Sequence, residues 1–210
     1  MIFDDISLAL QKGRKKDVEA LVQQAIDEKQ PVKDILNKGL LVGMDIVGEK
    51  FKNNELYVPD VLVAARAMNA GTTLIKPLLA EAGVESIGKV VIGTVLGDLH
   101  DIGKNLVKMM MEGKGFEVID LGVNVSAEQF VQGAIDNNAS IIACSALLTT
   151  TMGEMANVVK VATEKGVRDK LTIMVGGAPV NESYKKSIGA DIYTPDAASA
   201  AEQAAKTVKH

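Results

Sequence analysis

Asp98 and His100 are the pair in this 210-residue chain best suited to chemistry. An imidazole can coordinate a metal through one ring nitrogen while giving the proton on the other to a carboxylate, and Asp98 stands two residues upstream to receive it. A helix cap or a surface hydrogen bond is the competing use of a solitary loop histidine, and the local spacing does not choose between them. The chain has one cysteine and two histidines, of which His210 is terminal, so a structural zinc site lacks its four ligands. His100-Asp101 resembles part of a metal-dependent hydrolase site, but the further histidines such a site needs are missing. No glycine-rich phosphate fingerprint follows the run Lys89–Gly93. Ser145, within Cys144-Ser145-Ala146-Leu147, has none of the flanking glycines of a nucleophile elbow.

Composition narrows the partners. The net charge is -4 and the chain has no tryptophan, which argues against an electrostatic nucleic-acid binder. Arg14-Lys15-Lys16 is the one short basic cluster. Cys144 lies in the apolar run Ile141-Ile142-Ala143-Cys144 and reads as a buried structural thiol. No segment offers the roughly 20 lipid-compatible residues of a membrane helix, and the start of the chain is acidic at Asp4 and Asp5. A cytoplasmic protein is expected. Lys209-His210 reads equally as native sequence or as a tag remnant.

Two regions of different periodicity must position these residues. Residues 1–85 have helical spacing: Ile6 and Leu10, then Val18, Leu21, Val22, Ala25 and Ile26. Pro31 suits the first turn of a third helix running through Ile35, Leu40 and Val47 to near Phe51. Pro59 opens a fourth through Leu62, Ala65, Met68 and Ile75. A four-helix bundle is predicted. Across residues 86–210, short branched runs (Lys89–Gly93, Phe116–Ile119, Ser140–Cys144, Leu171–Val175, Asp191–Tyr193) alternate with helix-length segments, and Ser126 with Gln129 fits a capping box. This alternation predicts a doubly wound α/β domain with a five-stranded parallel sheet, Rossmann-like or flavodoxin-like.

In such a sheet the carboxyl ends of the strands share one edge, where ligands bind. The first run ends in Thr94-Val95-Leu96-Gly97-Asp98-Leu99-His100-Asp101-Ile102-Gly103, the third in Ser145-Ala146-Leu147-Leu148-Thr149-Thr150-Thr151, and the fourth in Gly176-Gly177-Ala178-Pro179. The three segments should converge. Their glycines permit close backbone approach, and their hydroxyls can donate and accept hydrogen bonds.

Asp98-x-His100-x-x-Gly103, 41 intervening residues, Ser145-x-Leu147, 28 more, and Gly176-Gly177 resemble the cobalamin-binding motif of methionine synthase and related corrinoid proteins. Gly43-Met44-Asp45-Ile46-Val47-Gly48 and Tyr57-Val58-Pro59 resemble the helical cap domain that precedes the corrinoid domain in that family. The resemblance covers nearly the whole chain and is strongest to the corrinoid proteins of three-component methyltransferase systems.

It implies a corrinoid bound base-off, with His100 as the lower cobalt ligand in place of the cofactor's own base. Asp98 would accept the hydrogen bond from the other ring nitrogen, and Thr151 stands where the family often has serine. Ser145 and Leu147 would line the channel of the displaced nucleotide tail, Gly176 and Gly177 would leave it room, and Asp101, Ile102, Gly103 and Thr149 complete the implied binding set. Tyr57 matches a cap aromatic over the upper face. The implied function is a non-catalytic methyl carrier that accepts a methyl group on cobalt(I) and passes it on from methyl-cobalt(III). The implied partners are a substrate-specific methyltransferase, a second methyltransferase with a folate or thiol acceptor, and a reductive activator. Proton uptake by Asp98, His100 and Thr151 would accompany loss of the lower ligand. Two alternatives share the motif: the cobalamin subunit of an adenosylcobalamin mutase, whose barrel partner is missing here, and a cobalamin-dependent sensor. The methyl donor is not written in these residues.

Overall fold

The computed structural model describes residues 1–208; Lys209 and His210 lie outside them. The chain divides into two compact units, one of Met1–Ser86 with Gly113–Gly115, the other of Ile87–Glu112 and the chain from Phe116 onward.

The first unit is helical: α1 (Ile2–Gln11), α2 (Lys15–Asp27), α3 (Val32–Asp34), a π-helical stretch (Ile35–Leu41), α4 (Val42–Lys52) and α5 (Val58–Glu81). With α3, the π stretch and α4 continuous, these make the four helical segments that the periodicity requires. Their inward stripes supply the core: Ile6, Leu10, Val18, Val22, Ile35, Leu40, Val47 and Ile75 are all fully buried. Pro31 differs from expectation. It precedes the helix with ψ 123°, because the ring fixes only φ, and its carbonyl receives the first amides at Asp34 and Ile35. The π stretch has no signature in the hydrophobic pattern. Its Gly39 lies where a Cβ would come 3.1 Å from the Ile6 side chain.

The second unit alternates strictly: β1 (Lys89–Thr94), α6 (Ile102–Gly113), β2 (Glu117–Asp120), α7 (Ala127–Asp136), β3 (Ile141–Ser145), α8 (Glu154–Glu164), β4 (Thr172–Gly176), α9 (Glu182–Ile188), β5 (Ile192–Tyr193) and α10 (Ala197–Thr207). All five strands are parallel, in the order β2-β1-β3-β4-β5. Because β1, β3 and β4 are covered on both faces, they are almost uninterrupted apolar runs, with Val90–Ile92, Ile141–Cys144 and Ile173–Val175 buried. Phe130 on α7 is fully buried against Gly93 of β1, where a Cβ would come within 2.9 Å of its ring. The expected capping box forms at α7. Gln129 N–H donates to Ser126 Oγ at 3.3 Å, and Ser126 N–H donates to Gln129 Oε1 at 2.8 Å.

The strand order turns a sequence pattern into a site. From β1 the chain moves outward to β2 and then returns to β3 on the other side of β1. This reversal opens a crevice at the carboxyl ends of β1 and β3, where His100 and Thr151 reside.

Candidate functional site

The loop after β1 is pinned from inside the sheet. Thr94, the last β1 residue, is fully buried, and its hydroxyl donates to the His100 carbonyl at 2.8 Å. Asp98 N–H donates to the Val95 carbonyl at 3.1 Å, closing a turn through Gly97, which has φ +81°. The turn sends the Asp98 side chain inward to 0% exposure.

Asp98 is paired on both oxygens. Oδ1 lies 2.7 Å from His100 Nδ1 and accepts the His100 backbone N–H at 3.1 Å. Oδ2 accepts the Leu147 N–H at 2.8 Å, the Leu148 N–H at 3.3 Å and the Thr151 hydroxyl at 3.0 Å. Burial alone would raise the carboxyl's pKa. The hydrogen bonds from the His100 backbone and ring, Leu147 and Thr151 outweigh it and hold Asp98 well below the usual carboxylate range. An acceptor-only carboxylate requires the proton on Nδ1, so the Nε2 lone pair is free. The His100 side chain is 52% exposed, and Nε2 has no hydrogen-bond partner among the described residues.

The other expected residues divide. Asp101 is exposed and accepts from Asn105 Nδ2 at 3.1 Å, tying the His100 loop to the first turn of α6. Gly103 and Gly176 face open space, with nothing within 4 Å of a Cβ built on either. Ser145 ends β3 half-buried, and its carbonyl accepts from Val95. Leu147 is exposed in side chain but serves Asp98 through its backbone. Thr149 is exposed and stays outside the Asp98 hydrogen-bond network, whereas Thr151 is buried within it. Gly177 has a backbone reason to be glycine: φ is +126°, and a Cβ would overlap the Ala146 carbonyl oxygen. In the helical unit, Tyr57 is 68% exposed just before α5, its N–H donating to Asp60 Oδ2 at 2.9 Å. Cys144 is buried, and burial pushes its thiol pKa up, consistent with an inert core residue.

Three contributors went unrecognised in the sequence. Asn124, in the loop after β2 with φ +56°, accepts the Gly97 N–H on Oδ1 at 2.8 Å and donates its own N–H to the Asp98 carbonyl at 3.0 Å. Thr94 read as a strand end. Lys104 is 3% exposed, its ammonium on both Asp120 oxygens at 2.7 and 2.8 Å and on Asn105 Oδ1 at 2.7 Å. Burial works against the Asp120 charge, but bonds from Lys104 and the Gly122 N–H, with the Lys104 and Lys108 charges, lower its pKa overall. Lys104 did carry a signal, since it falls on the inward face of α6 with Met111, seven residues on.

These observations test what the site can hold. Among the described residues no three potential metal ligands cluster, so a bare ion would find only one imidazole. A single histidine suffices for a metal that brings its own equatorial ligands. Leu96 and Leu99 on the loop after β1, Ile102 at the start of α6, and Leu147 and Leu148 on the loop after β3 are 40–75% exposed, an apolar setting suited to a large macrocycle. The residues present fit a corrinoid.

Fold and loops thus define a doubly wound ligand-binding domain accompanied by a helical unit. Residues 88–205 match the B12 binding domain family, and residues 2–76 match a second B12 binding domain model. A corrinoid protein from Desulfitobacterium hafniense is 40% identical over 98% of this chain and 96% of its own length. The dimethylamine corrinoid protein of Methanosarcina barkeri is also 40% identical, over 97% and 95% respectively. The solved methanol:cobalamin methyltransferase complex MtaBC of M. barkeri superposes with TM-score 0.89 at 29% identity, covering 99% of this chain and 79% of that one. The chain belongs to the B12-binding family, among the corrinoid proteins of methyltransferase systems. Among the described residues no helix is long and apolar enough to cross a membrane.

Proposed function

We propose that this protein is a cytoplasmic methyl carrier that binds its corrinoid base-off, with His100 Nε2 as the lower ligand. The observation that carries the reading is the buried Asp98 carboxylate. It is fixed by donors from two strand-end loops and presents His100 with Nδ1 engaged and Nε2 free. When bound, the corrinoid supplies a cobalt centre that takes up a methyl group and hands it on.

The chain's own groups bind, orient and hold protons. Asp98 fixes the His100 tautomer, and the Thr151 hydroxyl stabilises the Asp98 charge. Ser145, Leu147 and the open space at Gly176 would receive the displaced nucleotide tail, with Gly177 shaping the adjoining backbone. Asp101, Ile102, Gly103 and Thr149 would complete the rim of the binding loops, and Tyr57, exposed on the helical unit, is the residue proposed for a cap aromatic. The partners are a substrate-specific methyltransferase, a second methyltransferase using a folate or thiol acceptor, and a reductive activator. The names of the relatives support the first of these partners, because one is a dimethylamine corrinoid protein and another belongs to a methanol:cobalamin methyltransferase complex.

The experiment is reconstitution with hydroxocobalamin, reduction, and addition of separately purified methyltransferases with labelled methanol or methylamines. Label should reach the protein-bound corrinoid only with a matching methyltransferase, and cobalt(II) spectra of protein carrying 15N-labelled histidine should show the doublet of a histidine nitrogen and not the triplet of the cofactor's own base. Absence of that splitting overturns the ligand assignment, and absence of label with every cognate pair overturns the carrier function.

A further inference from the structure

We propose that Thr94 and Asn124, both outside the Asp98-x-His100-x-x-Gly103 pattern, are positioning residues that clamp the Asp98–His100 turn from two sides. The inference rests on the reading of His100 as the lower ligand.

The inner jaw belongs to the sheet. Thr94 is fully buried and its backbone is fixed, with its N–H on the Gly122 carbonyl at 2.9 Å and its own carbonyl accepting from Val125 at 2.9 Å. A hydroxyl on so constrained a residue defines a fixed point. Its acceptor is the carbonyl of His100 itself, 2.8 Å away. The ligand-bearing residue is thereby held by its main chain as well as by its ring.

The outer jaw comes from the loop after β2. Asn124 bonds both ends of the Gly97–Asp98 segment, taking the Gly97 N–H on its side chain and giving its own N–H to the Asp98 carbonyl. The left-handed backbone at φ +56° makes this reciprocal grip available, and asparagine is among the few residues that combine that conformation with a short side-chain acceptor. Asn124 is exposed, so its side chain contributes little burial. The Gly97 N–H also lies at an exposed site, where water would replace a lost acceptor. The contact therefore acts through geometry. An axial ligand must be held within roughly 0.5 Å and 10–20° of its working position, and Asp98 alone fixes the ring and not the loop that carries it.

Four variants separate positioning from folding. Thr94→Val keeps the branched shape and removes the hydroxyl; Thr94→Ser restores the hydroxyl. Asn124→Gly keeps the left-handed backbone and the N–H to Asp98 but loses the acceptor; Asn124→Asp restores it. Three readouts apply: ring 15N spectra of His100 in the cofactor-free protein, histidine-nitrogen splitting in cobalt(II) spectra after loading with hydroxocobalamin, and thermal unfolding as the folding control.

Thr94→Val and Asn124→Gly should each mix the two ring tautomers, lower the histidine-ligated fraction and weaken hydroxocobalamin binding by about fivefold, the effect of one hydrogen bond. Thr94→Ser and Asn124→Asp should behave as wild type. Wild-type tautomer ratio, splitting and affinity in both Thr94→Val and Asn124→Gly would overturn the clamp. If Thr94→Val fails to fold, the exposed Asn124 pair decides. A wild-type protein lacking the nitrogen splitting would overturn the ligand reading instead, and the cofactor-free ring spectra would still decide the clamp.

Discussion

The His100 ring and the Asp98 carboxylate are joined twice through one oxygen, Oδ1 lying 2.7 Å from ring Nδ1 and 3.1 Å from the His100 backbone nitrogen. The double attachment fixes both the direction of the ring and the turn beneath it. The second oxygen is engaged by the opposite loop through Leu147, Leu148 and Thr151. One buried carboxylate therefore ties together the two chain segments that flank the crevice.

His100→Ala should separate ligation from folding. The side chain is half exposed, so water can reach the vacated position, and Asp98 keeps the His100 backbone N–H and its three other donors; loss of the ring donor should cost about 1–2 kcal/mol. Histidine-nitrogen splitting in the cobalt(II) spectrum should vanish. Thermal unfolding of the cofactor-free variant and spectroscopy of the loaded one check the two halves.

Asp98 should shape the acid limb of stability. Its folded pKa is depressed relative to about 3.9 in an unfolded chain, so on acidification the unfolded state binds this proton first. The stabilisation is complete above about pH 5 and is lost as pH falls below about 4 toward the folded value. Asp98→Asn should cost about 3 kcal/mol near neutrality, since an amide NH2 would face the Leu147 or His100 N–H, and should flatten the decline below pH 4. Urea unfolding of both proteins across pH 2.5–7, roughly the span of carboxylate titration, measures the difference. An unchanged acid slope would count against the assignment.

The two adjacent glycines should respond in opposite ways. Gly177→Ala places a Cβ on the Ala146 carbonyl oxygen at a positive φ and should destabilise the fold by about 3 kcal/mol or more. Gly176→Ala meets nothing within 4 Å and should unfold like wild type, yet bind cobalamin more weakly because the methyl projects into space proposed for the nucleotide tail. Calorimetry with a binding titration separates these outcomes.

Thr151 should matter through its hydroxyl alone. Thr151→Ser should bind cobalamin as wild type does. Thr151→Val removes a donor from a buried carboxylate and should cost about 1–3 kcal/mol of stability. Equal behaviour of the two variants, measured by unfolding and by cobalamin titration, would remove Thr151 from the network.

Much of this architecture is legible from spacing. The five strands lie within a residue or so of the apolar runs, because strands covered on both faces have little choice but to be apolar. The Asp98–His100 pairing is legible because a carboxylate two residues upstream can receive an imidazole proton, whereas the use of His100 is indicated by the resemblance of the spaced motif and not by local spacing. Asn124 is not, since its role depends on the β2 loop returning beside β1, a pairing set by tertiary structure. Thr94 is hidden for the opposite reason: in sequence it is an ordinary strand threonine, and only the turn six residues on gives its hydroxyl a partner. The π stretch at Ile35–Leu41 preserves the burial of Ile35 and Leu40, so the hydrophobic pattern does not betray the extra residue per turn.

The exposed aliphatics Leu96, Leu99, Ile102, Leu147 and Leu148 also bear on how the empty protein behaves as a colloid. Oily side chains left facing water are adhesive toward one another as well as toward a macrocycle. Without cargo the protein should self-associate as its concentration rises, and loading should disperse it, so solubility itself becomes a gauge of occupancy.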